Sequence, residues 1–192
     1  MTTVFSDTET TGLDPVDSAP FEIALLVYQG ANLVAERVFH LNPLDDEVVI
    51  HQSALDVNGA TEEEIRSYPP AAEVIPNIIE FLTPYCPPEK FVFAGYNAGF
   101  DYGHIGGILF RHGFFITNYF NEQLIDVLEL VKKAKTMGLI RPTKDNKLGT
   151  ITEALGIDHD EAHTALSDIK ATRKIYEYIY HLWREKSEKN NV

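Results

Sequence analysis

The chain opens on a short apolar run, Val4-Phe5, that passes into alternating acids, Asp7 and Glu9, and then into the turn-forming stretch Gly12-Leu13-Asp14-Pro15. That order predicts a strand ending in a turn. Phe21 to Gln29 and Leu33 to Leu41 are rich in aliphatic, aromatic and β-branched residues, and Gly30-Ala31-Asn32 between them reads as a hairpin turn. With the first strand they make an antiparallel start to a sheet. Further on the period changes. Thr61 with Glu64 is a capping-box pattern, and Pro69-Pro70 closes that short helix before a longer one from Ala71 to Leu82. Phe91 to Tyr96 reads as a buried strand and Tyr102 to His112 as a helix. Its three glycines, Gly103, Gly106 and Gly107, each cost roughly 1 kcal/mol against alanine and therefore mark close packing. Gln123 to Leu130 predicts a strand leading into a helix around Lys132, and Lys147 to Leu155 a helix stopped by Gly156. Leu166, Ile169, Thr172, Ile175, Tyr176, Ile179, Tyr180 and Trp183 recur every three or four residues, which predicts a last helix with one wide apolar face. Three strands followed by alternating helix and strand imply an α/β fold, a mixed central sheet flanked by helices.

A chain of 192 residues with 44% hydrophobic residues suits one globular domain, assigned to residues 1–185 with a polar tail over 186–192. It shows no repeat and no linker. Neither a basic leader nor an apolar run of membrane-spanning length is visible, so the expectation is a cytoplasmic protein with no membrane partner. Cys86 is the only cysteine, which excludes an internal disulfide and a cysteine-built zinc site. The formal net charge of −13 argues against tight duplex binding, because a protein that grips long nucleic acid shows the phosphates a basic face. Locally, Lys132, Lys133, Lys135, Arg141, Lys144 and Lys147 stand against Asp145 alone, either as a phosphate rail or as a solvated helix end and loop.

The chemistry begins with Asp7 and Glu9. Residues i and i+2 of a strand share a face, so the two carboxylates converge while Thr8 points away. Convergent carboxylates repel unless cations neutralise them, and hard oxygen ligands suit Mg²⁺ or Mn²⁺. Two later segments add acids: Phe93-Ala94-Gly95-Tyr96-Asn97-Ala98-Gly99-Phe100-Asp101, and Ala162-His163-Thr164-Ala165-Leu166-Ser167-Asp168. On these three motifs, D-x-E, N-x-x-F-D and H-x4-D in that order, the chain resembles the DnaQ-like 3′→5′ exonucleases of the DEDDh type. The resemblance extends through Leu41-Asn42-Pro43, Val57 to Ile65 and Lys147 to Ile157, nearly the whole chain.

The resemblance implies a ribonuclease H-like fold with a mixed five-stranded sheet, and hydrolysis of phosphodiester bonds from a 3′ end with two divalent ions, Mg²⁺ or Mn²⁺. Asp7, Glu9, Asp101 and Asp168 are then the metal ligands, with Asp7 bridging, and His163 accepts the proton of the attacking water. Thr10, Gly12 and Leu13 are implied to meet the terminal nucleotide, with Asn97 and Phe100 on its other side, although Phe100 reads equally as core. Tyr96 departs from the histidine often found before that asparagine.

On one regular helix, the five-residue step from His163 to Asp168 would turn the side chains about 140° apart. Asp168 is therefore expected in the first turns of the last helix and His163 ahead of it. His159-Asp160-Glu161-Ala162-His163 imitates the H-E-x-x-H of a zinc protease, but Asp replaces the general-base Glu and no third ligand follows. His159 is accordingly expected to be dispensable. The favoured substrate is single-stranded DNA, in a proofreading or repair role that could involve a DNA polymerase or other replication partner. Two alternatives stand beside it: an exoribonuclease or oligonucleotide-trimming nuclease, and a non-catalytic module that binds nucleic-acid ends. Sugar preference and oligomeric state are not legible in the spacing.

Overall fold

The computed structural model describes residues 1–44, 48–159 and 164–190. Strands β1 (Thr2–Thr10), β2 (Pro20–Gln29) and β3 (Asn32–His40) form the antiparallel start. Helices α1 (Gln52–Asn58), α2 (Glu62–Ser67) and α3 (Ala71–Leu82) follow. Then come β4 (Phe91–Gly95), α4 (Ala98–Arg111), β5 (Phe120–Asp126), α5 (Val127–Thr136), α6 (Leu148–Leu155) and α7 (Ala165–Asn190). The five strands make one mixed sheet in the order β3-β2-β1-β4-β5, with β4 parallel to β1 and β5 parallel to β4. The strand carrying the first two acids is thus the middle strand.

Alternation along β1 assigns the faces. Val4 belongs to a core with Ile23, Leu25, Phe93 and residues of α3 and α4, whereas Phe5 belongs to a second core with Ala24, Leu26, Ala94 and residues of α5, α6 and α7. Asp7 and Glu9 continue the Phe5 side, toward α7. Thr8 continues the Val4 side, toward α4. Helix α7 is fastened across its face by Arg173, whose guanidinium lies 4.2 Å from the Tyr28 ring centre and 5.2 Å from those of Phe5 and Tyr176.

Three elements differ from the sequence expectation. The strand foreseen over Gln123 to Leu130 ends at Asp126, because the Asp126 carboxylate accepts from the backbone N–H groups of Leu128 and Glu129 and starts α5 there. Helix α4 begins at Ala98, well before Tyr102, because Asn97 takes the left-handed conformation (φ 64°) and turns the chain directly into it. The tail assigned from Lys186 continues as helix to Asn190, with an Arg184–Glu188 pair one turn apart. Helix α1 was not foreseen, since its seven residues bury only Leu55. Two of the three glycines expected to mark close packing in α4 do so: a Cβ on Gly107 would meet the Pro15 carbonyl at 2.9 Å, and one on Gly106 the Ile116 side chain at 3.3 Å, whereas at Gly103 it would meet Pro15 at an ordinary 3.5 Å.

Candidate active site

β1 runs on beyond the end of its parallel neighbour β4, and the site forms on that overhang, just past the end of β4. There Gly95 brings the two backbones together, since a Cβ on it would stand 2.9 Å from the Ser6 carbonyl oxygen. The chain then turns through Asn97 into α4, whose first turn carries Asp101. Buried Thr8 donates its hydroxyl to the Asp101 carboxylate at 2.7 Å, joining the middle strand to α4 through the sheet face opposite Asp7 and Glu9. Asp168 lies in the first turn of α7, where the Thr164 hydroxyl accepts from the Ser167 N–H. This matches the expectation for Asp168. His163 lies outside the described residues, as do Asp160, Glu161 and Ala162.

The acids act on one another. Burial, and then the charges of Asp101, Asp168, Glu9 and Glu22, push the Asp7 carboxyl well above the usual carboxylate range. Burial and the charges of Asp168, Glu22 and Asp101 raise Glu9 to about 8. Burial raises Asp101 to about 7 in spite of its hydrogen bond from Thr8. Desolvated carboxylates crowded like this keep their protons unless cations replace them, and that chemistry fits divalent metal ions held by oxygen. Among the described residues, no group of three His, Cys, Asp or Glu side chains closes into a ready metal cage. Protein donors engage two of the carboxylates: Thr8 on Asp101, and His159 Nε2 on Asp168 Oδ1 at 2.7 Å. The sequence reading treated His159 as dispensable, whereas the structure sets it against a candidate ligand.

Glu22 is a second residue the sequence did not single out. It stands directly across from Glu9 on β2, accepts the Ala165 N–H at 3.1 Å through one oxygen, and meets His40 Nε2 at 3.1 Å through the other. It therefore ties the start of α7 to the sheet while adding negative charge beside Glu9.

Next to Glu9 a cleft of about 490 Å³ is lined by Thr10, Gly12, Leu13, His51, Asn58 and Phe100, among others. Four of the five implied substrate residues meet there. Asn97 does not line this cleft; its backbone N–H is spent on Asp126, and its side chain is exposed at the start of α4. Gly12 is required for a reason the sequence hid, since a Cβ there would lie 2.4 Å from the His51 ring. Asn58 donates to the Thr10 carbonyl and the His104 ring packs at a tilt against Phe100, centroids 4.2 Å apart, so the cleft walls are braced from behind. Buried His104 also places a ring nitrogen 3.2 Å from the Ser18 hydroxyl and the other 3.0 Å from the Phe100 carbonyl. Leu13 is 81% exposed and Val57 67%, leaving an apolar rim suited to a flat aromatic ring. The lysine rail fares less well: Lys135 in the last turn of α5 bonds Thr143 and Asn146 of the loop that follows, Lys132 pairs with Glu129, and Lys133 lies over Trp183.

The exonuclease family model RNase_T matches residues 4–176. This chain belongs to that exonuclease family. Among curated relatives it is 27% identical over 191 residues to a PolC-type DNA polymerase III of Streptococcus suis, covering all of this chain and 12% of the polymerase. It is 26% identical over 184 residues to exodeoxyribonuclease I of Escherichia coli, covering 89% of this chain and 38% of that protein. The chain thus spans about an eighth of the one relative and under half of the other. Its fold is that of E. coli exonuclease I: with that enzyme bound to a dT13 oligonucleotide the TM-score is 0.80 at 24% identity, over 99% of this chain and 43% of the other. A zinc-bound exonuclease I complex with single-stranded DNA superimposes equally well, at a TM-score of 0.80 and 24% identity over 96% of this chain and 42% of that one.

Proposed function

We propose that this exonuclease removes nucleotides from the 3′ end of single-stranded DNA by phosphodiester hydrolysis, releasing nucleoside 5′-monophosphates. The observation that carries the reading is the electrostatic cluster of Asp7, Glu9 and Asp101, all three desolvated, with the charge of Asp168 acting on Asp7 and Glu9, beside the Thr10–Leu13 cleft. Asp7, Glu9, Asp101 and Asp168 would hold two Mg²⁺ or Mn²⁺ ions, which supply a nucleophilic water at neutral pH and neutralise charge on the phosphate. The chain's own residues do the rest. Glu9 and Thr10 join the acid cluster to the cleft, so a nucleotide seated on Leu13 and Phe100 brings its phosphate to the acids. His163, with a side chain that titrates near neutrality, is proposed to accept the water's proton.

The exodeoxyribonuclease and polymerase relatives favour DNA and a proofreading or repair setting with a polymerase partner. The low basic content suits single strands, which ask for fewer phosphate contacts. No helix among the described residues is long and apolar enough to cross a membrane.

The test is digestion of matched 3′- and 5′-labelled single-stranded DNA and RNA oligonucleotides with Mg²⁺ or Mn²⁺, with chelator and Asp7→Ala controls. Stepwise 3′ shortening of DNA that vanishes in both controls is the expected result. Faster digestion of RNA would move the assignment to an exoribonuclease, and metal-replete inactivity on every substrate would leave a binding module.

A further inference from the structure

The loop that follows α6 carries His159, whose side chain is only 8% exposed and whose Nε2 lies 2.7 Å from Asp168 Oδ1. An ionised carboxylate only accepts hydrogen bonds, so Nε2 is the protonated nitrogen of this pair. Two forces act on that carboxylate. Asp7 and Glu9 both feel the negative charge of Asp168, so whenever they ionise, repulsion opposes an Asp168 carboxylate turned toward them. Glu22 fixes the Ala165 N–H in the same turn, a contact to backbone. His159 meets the Asp168 carboxylate itself and so acts directly on the orientation of that side chain.

Building on the metal-ligand role given to Asp168 above, we propose that His159 is a positioning residue whose Nε2–H holds the Asp168 carboxylate toward Asp7 and Glu9, so that the last acid is oriented before metal arrives. A carboxylate has about four lone-pair directions and can accept from an imidazole while binding an ion. Hydrogen bonds of this kind orient metal ligands generally.

The experiment compares the parent chain with His159→Phe, which keeps a ring and loses the donor, His159→Gln, which restores an N–H at similar reach, and Asp168→Asn. Mn²⁺ affinity is read by calorimetry without turnover, and kcat and KM on a labelled oligonucleotide. Loss of such a partner should weaken Mn²⁺ binding and lower kcat in His159→Phe by about 10- to 100-fold, leave KM for the oligonucleotide within about twofold, and be largely reversed in His159→Gln. Unchanged Mn²⁺ affinity and kcat in His159→Phe, or His159→Gln as damaged as His159→Phe, overturns the proposal. Full activity in Asp168→Asn would instead overturn the site assignment beneath it. If His159→Phe does not fold, the ¹⁵N ring signals of His159 in the unmodified protein decide. An Nε2–H retained through a Mg²⁺ titration supports the positioning role, and a ring released on metal binding refutes it.

Discussion

At the scale of single residues, the site stores electrostatic repulsion that metal relieves. Asp7→Asn removes a carboxyl whose ionised form burial and its acidic neighbours disfavour. We expect it to lower activity by about a thousandfold or more, the loss of a central electrostatic group, and at the same time to raise the melting temperature of the metal-free protein. A thermal scan in chelator checks the second half, and a lower melting temperature would show that Asp7 is not under strain. Glu9 makes the companion pH prediction. Its pKa rises from the usual 4.5 to about 8 on folding, so across that window the native state holds a proton that the unfolded chain has lost. Metal-free stability therefore falls as pH rises from about 5 to about 8, and Mg²⁺ restores most at the alkaline end. Melting curves at both limits, with Glu9→Gln as the flattened control, measure this. The acids themselves were legible in the sequence because their spacing states their chemistry. Thr8, Glu22, His51 and His159 were not, because each acquires its part from a neighbour far away in the chain: Thr8 and Asp101 are 93 positions apart, and Ala165 and Glu22 143.

At the scale of elements, the site depends on how closely β1 approaches β4 and α4. Gly95→Ala places a methyl group against the Ser6 carbonyl and should cost about 1–3 kcal/mol, the range for overpacking. Activity should fall with stability, because the strand that separates from β4 is the one bearing Asp7. Denaturant titration measures the first effect, and a loss within experimental error would mean that the strands can spread without harm. Thr8→Val keeps the shape but withdraws the hydroxyl that favours the charged form of Asp101. Asp101 then titrates higher still, so the acidic limb of the rate profile should move to higher pH while KM changes little. An unmoved profile would show that the hydrogen bond does not reach the chemistry. The elements themselves were mostly readable, since aliphatic, aromatic and β-branched composition marked β2 and β3, and apolar recurrence every three to four residues marked α3 and α7. The start of α5 was misplaced because Val127-Leu128-Glu129-Leu130 suits a buried strand as well as a helix. The cap on Asp126 decided between them.

At the scale of the whole molecule, a chain of net charge −13 handles a polyanion with few cations to spare, because several of its lysines are committed to internal contacts. Substrate affinity should therefore depend weakly on salt: a slope of log affinity against log salt no steeper than about −3 corresponds to roughly four phosphate contacts on a single strand. Equilibrium binding of a labelled oligonucleotide to Asp7→Asn at several salt concentrations gives this slope, and a value several units steeper would reveal a basic track not evident in this fold. The acids come from β1, α4 and α7, so Asp7 and Asp168 meet only when α7 is packed on the sheet face that carries Asp7. Half-made or half-melted chains hold fragments of the site and no working whole. Foldedness and a complete acid cluster are one condition in this fold: the carboxylates of β1 and α4 lack their last partner until α7 closes over β1.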